Sequence, residues 1–367
     1  MIRKYKVLDM FCGAGGLSKG FIDAGYDVVL GVDFDEAALK TFEKNHKGAK
    51  ALKLDLFKDE NMIELIKQAQ ENKIDVLIGG PPCQGFSLAG KRKEADDRNK
   101  LYERMVELAS SIKPRVVLLE NVPGLATLYN GNAKKRILED FRNLGYTMTE
   151  PQVLYAPDYG IPQIRKRLFF VGLLDSKEEF KYPTPILNEE NYISCEDAIS
   201  DLPSLENDMG ENIGEYSCEP KTKYQIQMRG NTEKLYNHVK SSHTEKTIYL
   251  ISHVPEGGTF KSLPDNDPIC KEYKENAKYN ELLTRYHSKK PSLTINTGHR
   301  THFHYKYNRI PTVRENARLQ SFPDNFIFIG NKSQQYKQVG NAVPPLLGFY
   351  LGKEILKYLR GKNNDEV

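Results

Sequence analysis

Along residues 5–175, apolar runs of strand length alternate with stretches in which apolar residues recur every three or four positions. "KYKVLDMF" predicts a short buried strand, and Leu17, Phe21 and Ala24 follow it at helical spacing. "YDVVLGVD" predicts a second strand. "NMIELIKQAQENK" predicts a helix, and "IDVLIGG" a strand. Leu101, Met105, Leu108 and Ile112 mark a long helix ahead of the strand "PRVVLLENV". "AKKRILEDFRNLG" predicts a further helix, and "RKRLFFVGLL" a further strand. This rhythm predicts an α/β fold with a doubly wound, mostly parallel sheet and helices on both faces. Ligands of such sheets sit at the carboxyl ends of the strands. The compositionally unusual stretches "FCGAGG", "VDFDE", "LDLF", "GGPPCQ" and "ENVPG" all fall at those ends.

The pattern stops near Pro183. Residues 184–219 hold ten acidic residues and no lysine or arginine. Residues 220–311 hold 16 Lys and Arg against 8 Asp and Glu, a net of +8, and seven of the eight histidines lie between 238 and 304. This shift predicts a smaller, irregular second domain over 184–311, with its basic part as a nucleic-acid contact surface. Regular patterning then returns. Leu347, Leu351, Ile355 and Leu359 form one stripe of a last helix, so residues 312–367 are expected to complete the first domain, 1–183. The composition, 39% hydrophobic and 28% charged over 367 residues, is that of a folded globular chain. No run of 18 apolar residues suggests a membrane span, and "MIRKYKVLDMFCGAGG" has no secretory signal character. The five cysteines include no closely spaced pair, which points to a reducing compartment and to no metal site.

Candidate chemistry clusters at the strand ends. "FCGAGGLSKGF" links a strand to a helix through a glycine turn that allows close approach to a ligand. Asp33, about 20 residues on, is placed to accept hydrogen bonds from two ribose hydroxyls, and Asp55 follows the next strand. The pattern F-x-G-x-G-G departs from the dinucleotide fingerprint and suits adenosine without a pyrophosphate. Cys83 sits behind two prolines at a strand end, where the chain must turn. Glu120 follows four apolar residues, an expensive place for a carboxylate without a partner or a task. In "QIRKRLFFVG", alternation places Gln163, Arg165 and Arg167 on one face, three donors for a base or phosphate.

In order, "DMFCGAGG", "VDFDE", "LDLF", "GGPPCQGFS", "ENVPG", "QIRKR", "RENARLQSFP" and "QVGNAVPP" span residues 9–345, and together they resemble the cytosine-5 DNA methyltransferases. The resemblance implies a Rossmann-like S-adenosylmethionine-dependent methyltransferase fold. It implies Cys83 as the nucleophile at cytosine C6, Glu120 at N3 and the exocyclic amine, Arg167 at O2, and Arg165 beside the nucleophile. S-adenosylmethionine, leaving as S-adenosylhomocysteine, is the implied cofactor. Its adenosine is expected near Phe11, Asp33, Asp55, Leu56 and Pro82, and its methionine end near Gly13, Gly15, Gly16, Leu17, Asn341 and Val343. The substrate is expected to be double-stranded DNA with the target base flipped out. Gln84 and Ser87 are candidates for filling the gap. The expected target-recognition domain is 184–311, and Gln163, Arg229, Arg285, Lys289, Lys290, Arg300 and Arg309 are candidate DNA contacts. A cytoplasmic, nucleoid-associated monomer paired functionally with a restriction endonuclease completes the expectation. An RNA methyltransferase of the same build, a DNA-reading protein without activity and a dehydrogenase are the alternatives. "PCQGFS", the intact Cys83, Glu120 and Arg167, and "ENVPG" count against them in turn.

Overall fold

The structure is a computed structural model that describes residues 3–82, 100–277, 283–298 and 301–361. It divides into two compact units. The first comprises Met1–Tyr159, Lys166–Pro185 and Ala342–Val367, and the second Gly160–Arg165 and Ile186–Asn341.

In the first unit, strands and helices alternate as the apolar pattern predicts. They are β1 (Lys6–Met10), α1 (Gly16–Ala24), β2 (Asp27–Asp33), α2 (Glu36–Asn45), β3 (Lys50–Lys53), α3 (Asp59–Asn72), β4 (Val76–Gly79), α4 (Lys100–Ile112), β5 (Val116–Asn121) and α5 (Asn132–Asn143). Three strands follow: β6 (Tyr146–Met148), β7 (Gln152–Tyr155) and β8 (Lys166–Leu174). The spatial order is β3-β2-β1-β4-β5-β8-β6, with β7 also on β8. β3, β2, β1, β4 and β5 run parallel, whereas β8 is antiparallel to β5, β6 and β7. The strand order reverses between β1 and β4, where a crevice opens at the carboxyl ends of open α/β sheets.

The second unit has little regular structure. Its elements are α6 (Cys195–Ile199), β9 (Ile213–Gly214), α7 (Lys223–Arg229), β10 (Leu235–Tyr236), α8 (Glu245–Ser252), α9 (Pro268–Asn276), β11 (Thr284–Arg285), β12 (His302–Phe303), α10 (Val313–Leu319) and α11 (Lys332–Asn341). Chain that makes few ladders leaves carbonyl groups in need of donors, and buried arginines supply them. Arg285 donates to the carbonyls of Val254 (2.8 Å), Ile251 (2.6 Å) and His304 (3.1 Å). Arg314 donates to those of Tyr236, Pro323 and Phe326. Arg309 grips both carboxylate oxygens of Glu315 at 2.7 Å and reaches the Ser204 carbonyl. Arg318 joins Asp324, Asp201 and the Ala198 carbonyl. Two expectations change as a result. Part of the basic excess of 220–311 points inward, with Arg285 and Arg309 buried as structural braces where exposed DNA contacts were expected. Residues 312–341 also pack in the second unit, because these arginines tie α10 to chain near residues 198–237.

The chain returns to the first unit in α12 (Pro345–Arg360). Its Leu347, Leu351, Ile355 and Leu359 are all buried, as their stripe predicts. α12 packs on α1. A Cβ added to Gly20 of α1 would lie 2.2 Å from the Pro345 carbonyl oxygen, so glycine permits the close crossing. On the sheet, Leu8, Met10, Leu30, Val32, Leu77, Val117 and Leu119 share one core with Met62 and Leu65 of α3, Met105 and Leu108 of α4, and Ile137 and Phe141 of α5. The strand ends thus rest on a rigid platform. Among the described residues, no helix is long and apolar enough to cross a membrane.

Candidate active site

Between β1 and α1 the chain reverses through Phe11, Gly13 and Gly15, at φ 61°, 53° and 88°. The two glycines serve different neighbours. A Cβ on Gly13 would meet nothing within 4 Å, so that side of the turn is open. A Cβ on Gly15 would lie 2.2 Å from Cε1 of His46, so that side is packed. Gly16 and Leu17 open α1 and are buried. Asp33, at the end of β2, accepts the Gly13 N–H through Oδ2 (2.8 Å) and the Asp35 N–H through Oδ1 (2.9 Å). Each oxygen keeps a lone pair for a further donor. Burial raises the Asp33 pKa, opposed by these backbone bonds.

Phe34, directly after Asp33, is 68% exposed. It did not stand out in the sequence, where a single aromatic among acidic residues makes no pattern. A large ring left in water beside a ribose-type carboxylate is the surface on which a base would stack. Asp55 is exposed, and its Oδ1 accepts the Phe57 N–H (3.1 Å), as in a turn ahead of a helix. The Leu56 side chain lies in the apolar core. Pro82 is exposed just beyond β4.

A second cluster occupies the ends of β4, β5 and β8. In the antiparallel register Glu120 faces Phe169, and Arg167 lies two residues along on the same face. Such diagonal neighbours are within reach of long side chains. Arg167 Nε is 2.8 Å from Glu120 Oε1, with both side chains largely buried. A Cβ on Gly80 would lie 2.8 Å from Glu120 Oε2, so glycine there makes room for the carboxylate. Asn121 donates to the Pro81 carbonyl (3.2 Å) and accepts the Val122 N–H, fastening the proline pair to β5. "GGPPC" therefore has a local cause: one glycine clears Glu120, and one proline is held by Asn121.

Asp9 was also missed. It is buried at the end of β1 and accepts the Ser18 hydroxyl at 2.6 Å. Burial pushes its pKa up to about 7, with Asp33 and Glu120 adding to the effect. The folded protein therefore holds this proton more tightly than the unfolded chain. Stability should fall as pH rises from the ordinary 3.8 towards 7, by ~1.4 kcal/mol per unit. Asp9→Asn removes that dependence. Urea unfolding at pH 5 and pH 7 should show the wild type losing about 2–3 kcal/mol relative to the variant. Parallel behaviour would mean that Asp9 titrates normally.

The other expected site residues are scattered. Gln163 is fully buried, donating to Gln320 Oε1 (2.6 Å) and accepting the Ile295 N–H (3.3 Å). Arg165 is buried as well, donating to the carbonyls of Gly340 (2.8 Å) and Ile295 (3.4 Å). These two residues precede β8, so the alternation expected through Arg167 does not form one strand face. Arg229 lies over the Tyr216 ring at 3.8 Å and donates to the Cys218 carbonyl. Lys289 and Lys290 are exposed. Asn341 ends α11 in the second unit, and Val343 is buried in the first. Cys83, Gln84, Ser87 and Arg300 lie outside the described residues.

A glycine turn with its carboxylate, and a Glu–Arg pair beside a Pro-Pro loop, now stand at the ends of β1, β2, β4, β5 and β8 in one sheet. Residues 5–357 match the family described as C-5 cytosine-specific DNA methylase. The chain belongs to that family. It is similar to the type II methyltransferase M1.HphI of Haemophilus parahaemolyticus, with 38% identity over 95% of this chain and 86% of the relative. It is also similar to M.DdeI of Desulfomicrobium norvegicum, with 34% identity over 97% of this chain and 90% of the relative. Among solved structures, a protein described as a DNA modification methyltransferase of an E. coli prophage superposes with a TM-score of 0.78. It shares 26% identity, over 98% of this chain and all of that one. S. pombe Dnmt2 methyltransferase, at 18% identity and a TM-score of 0.59, shares the fold. The C-5 methylase is thus an enzyme, a DNA (cytosine-5-)-methyltransferase of the type found in restriction-modification systems. Methylation by this family uses S-adenosylmethionine.

Proposed function

We propose that the chain methylates C5 of a cytosine flipped out of a specific double-stranded DNA sequence, by way of a covalent bond between Cys83 and C6. In the cell it would shield DNA from a companion restriction endonuclease. The observation that supports this most is the Glu120–Arg167 pair beside the Pro81 loop, in the same sheet as the open Gly13 turn.

The turn suits S-adenosylmethionine. Asp33 has acceptor capacity left for ribose hydroxyls, and Phe11, Phe34, Asp55, Leu56 and Pro82 are candidates to surround the adenosine. The open face of Gly13 leaves main chain for the methionine end, with Gly15, Gly16, Leu17 and Val343. When bound, the cofactor supplies the methyl group that C5 accepts. The remaining chemistry belongs to the chain. The Cys83 thiolate adds to C6, which makes C5 nucleophilic. Glu120 holds N3 as charge builds there, and Arg167 both orients Glu120 and binds O2. The C5 proton then leaves, and the thiolate departs as the C5–C6 double bond re-forms.

Bisulfite sequencing of DNA from a host expressing the chain tests this reading. One methylated cytosine in a fixed sequence context is expected, and its absence would refute the assignment. Asp33→Ala should weaken S-adenosylmethionine binding by roughly 1.5–3 kcal/mol, about ten- to a hundredfold. Calorimetry on the free protein measures this. An unchanged constant would leave Asp33 as a prop for Gly13 and Asp35 alone.

A further inference from the structure

His46, at the end of α2, is buried against the packed side of the cofactor turn. Its Nε2 is 3.0 Å from the Gly15 carbonyl oxygen and its Nδ1 is 2.7 Å from the Phe42 carbonyl oxygen. The ring stacks on Phe42 at 4.2 Å and 14°. Together the two rings occupy the space that side chains would need at two glycines. A Cβ on Gly15 would lie 2.2 Å from His46 Cε1 and 2.7 Å from Phe42 Cδ2, and a Cβ on Gly31 of β2 would lie 2.3 Å from Phe42 Cζ. α2 is thereby wedged onto β2 and onto the turn at once.

Gly15 is where the turn becomes a helix. Its N–H donates to the Cys12 carbonyl (2.8 Å) and its own carbonyl accepts the Lys19 N–H (2.8 Å). No side chain caps α1 there. The His46 ring, backed by Phe42, is thus the nearest side-chain group to Gly15. Burial pushes the His46 pKa down to about 4, opposed by the two carbonyl contacts, and the neutral ring has one N–H to give to one of them.

We infer that His46 is a positioning residue for the cofactor. By filling the space behind Gly15 and meeting its carbonyl, it fixes the height of the Gly13–Gly15 main chain, and so the grip on the methionine end of S-adenosylmethionine. The adenosine end is held separately by Asp33. The inference rests on the cofactor assignment proposed above.

The test compares S-adenosylmethionine with adenosine as calorimetric probes of the full chain. His46→Ala should weaken S-adenosylmethionine about tenfold, the loss of one buried contact, while adenosine changes by less than about threefold. KM for S-adenosylmethionine should rise in step, with kcat at saturation retained. His46→Phe keeps the ring without the donor, and should fall between wild type and His46→Ala. It also reads the same selectivity, S-adenosylmethionine weakened more than adenosine, should the alanine variant fail to fold. Gly15→Ala should be more severe in the wild-type background than with His46→Ala, because the nearest clash is with His46, while the Phe42 contact and the φ of 88° strain alanine in both. Equal weakening of both probes, an unchanged S-adenosylmethionine constant with only a lowered Tm, or additive Gly15 and His46 effects would each overturn the inference. Failure of the wild type to bind S-adenosylmethionine at all would instead overturn the cofactor assignment.

Discussion

Replacing Cys83 by serine should leave S-adenosylmethionine binding unchanged and reduce methyl transfer to DNA by at least about ten-thousandfold. Removal of a covalent nucleophile from a catalytic set has that scale of effect. A serine hydroxyl is scarcely ionised at neutral pH, whereas a thiol positioned near a cationic group supplies a thiolate. Cofactor binding should survive because, in the proposed mechanism, the thiol attacks the base and the donor is held by the turn after β1. Tritium transfer from labelled S-adenosylmethionine gives the rate, and calorimetry gives the binding constant. A duplex carrying 5-fluorocytosine at the target should trap the wild type, because fluorine does not leave as a proton does. A denaturing gel would then show a shifted band that Cys83→Ser lacks. Near-wild-type turnover in the variant, or an equal band in both, would refute covalent catalysis by Cys83.

Glu120→Gln should lower kcat by about 10²–10⁴, the range for loss of a positioned acid–base group. The variant keeps the length of the side chain, so it still fits over Gly80, where a Cβ would be 2.8 Å from Oε2. It loses the charge that meets Arg167 at 2.8 Å and the ability to share a proton with N3. Single-turnover rates at saturating DNA isolate the chemical step, and the affinity for S-adenosylmethionine should not change. If the rate survives, Glu120 serves only to place Arg167. If cofactor binding falls equally, the substitution has disturbed the ends of β4 and β5.

Much of the first unit was legible because parallel strands buried on both faces read as unbroken apolar runs. "VVLL" in β5 and "DVLIG" at β4 leave little choice. α2 gave no clear signal, because Leu39 and Phe42 are its only large buried side chains. The antiparallel direction of β8 is decided by sheet pairing, which local pattern does not encode. At the site, Asp33, Glu120 and the glycine turn were readable as polar or small residues in apolar surroundings. Phe34, His46 and Asp9 were not, since their meaning lies in what surrounds them in space. Charge misled in the second unit. Sequence gives the sign of Arg285 and Arg309 but not their direction, and in a domain poor in ladders an arginine is as useful inside as outside. Alternation through "QIRKR" overreached for a related reason. Extended spacing persists into residues 163–165, but these pair with Ser292 and not with the main sheet.

That last pairing bears on how new specificities arise. Ile164 donates its N–H to the Ser292 carbonyl (2.7 Å), Ser292 returns a bond to the Pro162 carbonyl (2.9 Å), and Gln163 and Arg165 reach the N–H and C=O of Ile295. All of these bonds end on main-chain atoms of the 292–295 stretch. Any sequence that follows the same backbone path can make them, and the Ser292 and Thr294 hydroxyls add two more, to the carbonyls of Pro162 (3.1 Å) and Ile164 (2.5 Å). Relatives that keep a hydroxyl side chain at the positions of Ser292 and Thr294 could therefore exchange the segment there without matched changes at 162–165. One such socket could accept many inserts, and, with the second unit as the expected recognition domain, a lineage could change the DNA it marks in a single genetic event.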